Sequence, residues 1–269
     1  MEILQIDLKG KMAHFRKYYA NNTSLSFTIP PRTTITGMLA AILGLPKGGY
    51  HSQFSSDKIR IGIALRTPVK KTFHRLNFLR VVSLGNLSTD IEKNKAFTSD
   101  FRGTSGHIQT PFEIVTGYHL QNDEVCYRVF ISAFDLENPL FLQLKEYALN
   151  KQVHYNLSFG IASFNAYISD AYLFSTESIE QKKVTNESLL FDSAIISDKI
   201  TSLQFEKKED SSFVEEELMP ADFVGDHNRE LSAMNRVLFS HNALPLKVVY
   251  SGEYFLLNQT QTIAFLEND

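Results

Sequence analysis

Cysteine is almost missing from this chain: Cys126 stands alone among 269 residues. One thiol can neither close an intramolecular disulfide nor build a cysteine-rich zinc site, so a reducing compartment is implied. Cys126 sits in a strand-like run, residues 124–134, where a small buried hydrophobe is expected rather than a nucleophile. No apolar run approaches a bilayer span, and Glu2 and Asp7 stand where a signal peptide would have a basic end and an apolar core. A cytoplasmic protein without membrane contact is expected. Nucleotide and hydrolase motifs are missing too, with no P-loop, no G-x-S-x-G and no H-E-x-x-H. Asp222, Asp226 and His227 offer too few converging oxygens for a hard metal ion, so neither metal nor cofactor is expected.

Present instead is a connected stretch, residues 13–45, that joins a basic and aromatic cluster (His14, Phe15, Arg16, Lys17, Tyr18, Tyr19), a Pro30-Pro31 turn and an apolar helix. Cations and rings beside a helix start suit phosphates and stacked bases. Charge is also segregated along the chain. Residues 1–111 carry sixteen Lys and Arg against six Asp and Glu, and the remainder eleven against twenty-four, giving +10 and −13. That polarity fits a polyanion held by the first half, or attraction between the halves.

Periodicity gives the order of elements. Residues 2–9 alternate as a half-buried strand, with Leu4, Ile6 and Leu8 on one face. Residues 33–45 have helical spacing, with Thr33 or Thr34 able to cap the start and Gly44 and Pro46 able to stop the end. Gly37 inside that helix implies a close backbone contact. Residues 58–66 read as a strand, 112–120 and 124–134 as strands around a turn, 139–150 as a helix, and 165–174 as a last strand. The predicted class is α+β: a ferredoxin-like, RRM-like βαββαβ domain over residues 1–175. A smaller β-rich region over residues 176–269 follows, in which 229–239 reads as a helix. The long interruption at residues 67–111 carries a net charge of +4 interleaved with Phe73, Phe78, Phe97 and Phe101, which predicts an ordered projection over nucleic acid. Metal-free RNA cleavage is the catalytic alternative, for which His14, Lys17, Tyr18 and Tyr19 could supply acid, base and cation. Gly160 in SFGIASF is a lone glycine turn and weak evidence of phosphate contact.

The first strand, the Arg-Lys-aromatic cluster, the Pro-Pro turn and the helix TTITGMLAAILGL together resemble the N-terminal signature of the CRISPR-associated Cas five family of the RAMP superfamily. PFEIV, RVFIS, LSFGIASFNA and ELMPADF extend the resemblance along the chain, and the tail is most similar to the type I-B branch. The resemblance implies a non-catalytic subunit of the type I Cascade surveillance complex, with a ferredoxin-like domain and a thumb-like insertion at about 67–111. It also implies binding of the 5′ handle of the CRISPR RNA and contact with the backbone subunit, the large subunit and the processing nuclease, target DNA being reached through the complex. Carried onto this sequence, the RNA contacts are Arg16, Lys17, Tyr18 and Tyr19, then Arg32, Thr34 and Thr36 at the helix start, and Arg75, Asn77, Arg80 and Arg102 in the thumb. Subtype I-C, a branch that cuts its precursor, uses a tyrosine with an adjacent lysine and histidine, and this sequence contains no Lys-His pair.

Overall fold

Alternation places a strand first, and the computed structural model, which describes residues 1–20, 23–79, 106–205, 213–225 and 230–267, begins with β1 (Ile3–Gly10). Two short strands, β2 (Met12–Ala13) and β3 (Phe15–Arg16), precede β4 (Ser26–Phe27) and helix α1 (Arg32–Leu43). Then come β5 (Ile59–Leu65), β6 (Lys70–Leu79), β7 (His107–Thr116), β8 (Val125–Ala133), helix α2 (Pro139–Leu149), β9 (Leu157–Ser158) and β10 (Asn165–Phe174). The strands β5, β8, β1, β10 and β9 form one antiparallel sheet in that order. Leu4, Ile6 and Leu8 face the helices, where Ile35, Leu39 and Ile42 of α1 and Phe141 and Leu144 of α2 close the main core.

The helix ends follow from local chemistry. Asn138 caps α2 by accepting the Leu140 N–H at 3.0 Å, with Pro139 in the first turn. Gly44 closes α1 in the left-handed region at φ 74°. The expected threonine cap of α1 is corrected, because Pro31 takes the cap position without a side-chain bond and its carbonyl accepts from both Thr34 and Ile35. Gly37 does meet a neighbour: a side chain there would lie 3.2 Å from the Tyr50 hydroxyl.

The rest of the chain, apart from 3-10 turns at Thr176–Ser178 and Ser197–Lys199, is built of strands among the described residues: β11 (Ile179–Phe191), β12 (Ile195–Ile196), β13 (Ile200–Leu203), β14 (Val214–Val224), β15 (Glu230–Ser240), β16 (Leu246–Leu257) and β17 (Gln261–Ile263). β15 replaces the helix read at 229–239. Pairing along almost all of β14 overrides the helical spacing of Leu231, Met234 and Leu238. Phe255, Leu257, Ile263 and Phe265 cover Ile3, Ala64, Phe130 and Phe174 on the sheet face opposite the helices. The whole is a sheet-rich α+β fold with two α-helices among the described residues. None of those helices is long and apolar enough to cross a membrane.

Charge joins the two ends of the chain. Arg32, at the first position of α1, is 2% exposed, and its guanidinium donates to Glu267 at 2.9 Å and Asp222 at 2.6 Å. Further bonds reach the carbonyls of Phe54 and Ile59 at 2.9 and 2.7 Å. Lys17 and Lys71 pair with β14 carboxylates, and Arg60 with Glu253 at 3.5 Å. Part of the charge segregation is therefore satisfied inside the molecule.

One guanidinium here serves two carboxyls, Glu267 largely buried and Asp222 partly so, and Asp222 holds the shorter bond. Burial raises the Glu267 carboxyl to about 7. An unfolded glutamate titrates near ~4.3. Between those values the folded chain keeps a proton that the unfolded chain has released, so stability falls as pH rises through the window and levels off above about 7. The expected contribution is on the order of 3 kcal/mol. Denaturant titrations from pH 5 to 8 should show this limb in the parent and a flattened one in Glu267→Gln. An identical limb in the variant would assign it to other groups.

Candidate nucleic-acid interface

Phe15 and Phe27 are paired across β3 and β4 and buried, which anchors a short hairpin in the core. Just beyond β3, two rings are left in solvent. Tyr18 and Tyr19 are 54% and 55% exposed, with rings 5.1 Å apart edge to face. Arg16 is exposed beside them, one guanidinium nitrogen 3.4 Å from the Ala20 carbonyl. Exposed rings next to a cation form a surface on which unpaired bases can stack while a phosphate is neutralised.

Lys17 differs from its neighbours. Its ammonium donates to Glu217 at 2.8 Å and lies 5.3 Å from the Phe27 ring centroid. Burial opposes its charge, but the Glu217 carboxylate more than compensates and holds its pKa above the usual lysine value. Lys17 thus belongs to the seam between the halves.

The hairpin is fixed from behind. His14 is buried, stacks on Phe112 at 4.0 Å between centroids, and donates from Nδ1 to the Glu113 carbonyl at 2.7 Å. Burial lowers its pKa. A buried, stacked imidazole with this bond fastens the hairpin from behind. The Ser26 N–H donates to the Glu113 carboxylate at 2.7 Å, and Ser24 exchanges backbone bonds with Pro111 and Glu113, tying the hairpin to β7.

On the other side, the His14 N–H donates to the Phe159 carbonyl at 3.0 Å. Gly160 follows at φ 92°, where a side chain would sit 1.8 Å from the His14 carbonyl oxygen. Only glycine fits this loop. Between it and the start of α1 is a cleft of 330 Å³ lined by Thr33, Thr34, Gly37, Tyr50, Ser158 and Gly160 among others. In the sequence this loop has one local signal, Gly160 itself. The contribution of Tyr50 and Ser158 had no local signal.

The β6–β7 hairpin adjoins through the Ser24 bonds to β7. Antiparallel register puts Lys71, Phe73, Arg75 and Asn77 on one face, with Phe73, Arg75 and Asn77 exposed. Phe78 reaches back toward Phe112, 6.2 Å between centroids. Arg80 and Arg102 lie outside the described residues, as do Asp226 and His227.

Two of the expected contacts at the helix start are corrected. Arg32 has its guanidinium bonded to carboxylates and carbonyls within the core, so it cannot present a cation to RNA. Thr36 is 3% exposed and its hydroxyl donates to the Thr33 carbonyl at 2.9 Å. Arg16, Tyr18, Tyr19 and Thr34 remain, the first three following His14 in the chain and Thr34 lining the cleft with Gly160, with Arg75 and Asn77 on the adjoining hairpin. Cys126 is buried, and burial pushes its thiol up to about 11, as a structural hydrophobe requires. Among the described residues no group of three His, Cys, Asp or Glu could hold a metal ion.

No curated protein matches the chain. The fold is similar to a CRISPR protein from Archaeoglobus fulgidus, with a TM-score of 0.57, 14% identity and 98% of each chain covered. It is also similar to a chain of a CRISPR RNA-guided surveillance complex, with a TM-score of 0.51, 10% identity, and 91% and 90% of the two chains covered. At these identities the likeness speaks for the fold. Membership rests on the sequence itself, since the profile described as CRISPR-associated protein (Cas_Cas5) matches residues 3–223. From the first strand through β14, this chain belongs to the CRISPR-associated Cas_Cas5 family.

Proposed function

We propose that the chain is a non-catalytic RNA-binding subunit of a type I Cascade surveillance complex, of the I-B branch, that holds the 5′ handle of the guide RNA. The observation that carries this reading is the exposed Arg16, Tyr18 and Tyr19 on a hairpin whose base, His14 and Ser24, is fastened to the Gly160 loop and to β7. Family membership and the fold shared with a surveillance-complex chain add support. In guide-directed recognition, base pairing reads the target while protein holds backbone and shape. Arg16 takes phosphate, Tyr18 and Tyr19 stack on bases, Thr34 bonds from the helix start, and Arg75 and Asn77 reach over the strand. Backbone and large subunits and the processing nuclease are the partners this role requires, in a cytoplasmic hetero-oligomer that needs neither metal nor nucleotide.

The ferredoxin-like reading draws support from the strand order β5-β8-β1-β10, antiparallel throughout, with α1 lying between β1 and β5 in sequence and α2 between β8 and β10. The non-catalytic reading draws support from the buried state of His14 and the engagement of Lys17.

Repeat-derived single-stranded RNA, titrated in EDTA across a salt series, tests the reading. The RNA should be bound and left intact. Arg16→Ala should lower the slope of log affinity against log salt by ~0.7, the value for one phosphate contact on a single strand. An unaltered slope removes Arg16 from the site. Cleavage that vanishes in Tyr18→Phe or Tyr19→Phe would replace the proposal with an endoribonuclease.

A further inference from the structure

Glu217 is the acceptor on which two cations of the basic half converge. It lies on β14 with a side chain 4% exposed, and its Oε1 accepts from Lys17 at 2.8 Å and from Lys71 at 3.1 Å. Glu215, two residues away on the same strand face, takes Lys71 at 2.8 Å and the Thr28 hydroxyl at 2.7 Å. Glu216 points the other way, half exposed and 3.5 Å from Arg236. Glu217 Oε2 has no hydrogen-bond partner among the described residues, so both lysines depend on one oxygen.

An ordinary seam would bury its cations and stop there. These lysines sit at the border of the candidate interface instead. Lys17 is the residue between Arg16 and the exposed tyrosines, and Lys71 shares a hairpin face with Arg75 and lines an open cleft of 450 Å³ beside Lys70 and Tyr118. A phosphate approaching either ammonium meets a charge already offset by a carboxylate bound at about 3 Å.

We propose that Glu217 is a positioning residue of the RNA interface: by holding Lys17 and Lys71 it masks two cations and leaves Arg16 as the phosphate-binding cation of the tyrosine hairpin. This rests on the RNA-binding reading, and it sets how salt-sensitive that binding is.

Two measurements on the full chain decide it. The first does not involve RNA: brief acetic anhydride labelling read by mass spectrometry, with exposed Lys47 as the internal standard. Lys17 and Lys71 should label several-fold more slowly than Lys47 in the parent and approach its rate in Glu217→Gln, while Glu216→Gln leaves them slow. The second repeats the salt series with repeat-derived single-stranded RNA. Glu217→Gln should steepen the slope by ~0.7 to ~1.4, for one or two lysines released, and adding Lys17→Ala should take back ~0.7 of that gain. A Glu217→Gln protein that melts cooperatively but shows parental labelling and slope overturns the proposal. If Glu217→Gln loses its cooperative melt, Lys17→Ala alone decides: an unmoved slope supports masking, and a slope lowered by ~0.7 refutes it. A parent that binds no RNA refutes the functional reading, while the labelling still judges the clamp.

Discussion

Replacing Arg32 with alanine is expected to cost about 3–5 kcal/mol of stability or to prevent folding altogether. The argument lies in what the guanidinium leaves behind. Its forked donors serve Glu267, Asp222 and the carbonyls of Phe54 and Ile59, and the residue itself is 2% exposed. Alanine leaves the largely buried Glu267 and the partly buried Asp222 without their cation, and breaking one side of a buried pair is far costlier than deleting both. It also cuts a link between the start of α1, the edge of β5 and the end of the chain, since Glu267 additionally accepts from the Ile61 N–H at 2.8 Å. Lysine should not rescue it, because a single ammonium cannot satisfy acceptors arranged around a planar fork. Urea titration checks this: a midpoint far below the parent's at an unchanged slope is expected for Arg32→Ala, with Arg32→Lys nearly as low. A loss under ~1 kcal/mol would show that the network is replaceable by water.

Arg32 also marks where sequence reading fails and why. A basic residue directly after Pro-Pro, at the start of a helix, has the local features of a phosphate contact. Its acidic partners lie 190 and 235 positions away, and no window along the chain reveals them. Elements whose signal is local were legible. β1 and β5 were read from alternation, α1 and α2 from helical spacing and their terminal Gly44 and Pro139, and the turn before β8 from its polar residues. β15 was not, because Leu231, Met234 and Leu238 satisfy a helical spacing that pairing with β14 overrides. The exposed part of the candidate interface is visible in the sequence for the same reason as the strands: Arg16, Tyr18 and Tyr19 are consecutive enough to stand out. Lys17, in the same cluster, shows the limit. Composition gave it a role shared with its neighbours, and Glu217, 200 positions away, gave it a different one. Charge segregation along the sequence is thus ambiguous between binding a partner and binding the other half of the same chain, and only geometry divides the two.

Gly160→Ala is expected to lower stability by roughly 2–5 kcal/mol, combining left-handed backbone strain with overpacking, and to reduce RNA affinity at least tenfold. The added methyl would lie 1.8 Å from the His14 carbonyl oxygen and 3.3 Å from the Phe15 ring, at φ 92°. Neither neighbour can easily retreat. The His14 N–H is bonded to Phe159 and its ring to Glu113, and Phe15 is buried against Tyr127 and Phe159. The chain must therefore move the loop away from the hairpin, which separates the Thr34 cleft from the Arg16–Tyr18–Tyr19 tip. Gly106→Ala is the matched comparison: it has φ 81° but nothing within 4 Å of the added carbon among the described residues. It should show only the conformational penalty, ~1–2 kcal/mol. Thermal melts of both variants, with RNA titration of each, separate strain from collision. If Gly160→Ala melts with Gly106→Ala and binds RNA as the parent does, the loop does not brace the hairpin. A Gly160→Ala protein that stays folded yet binds weakly would instead locate part of the interface in the spacing between loop and tip, because none of the candidate contact side chains would have been altered.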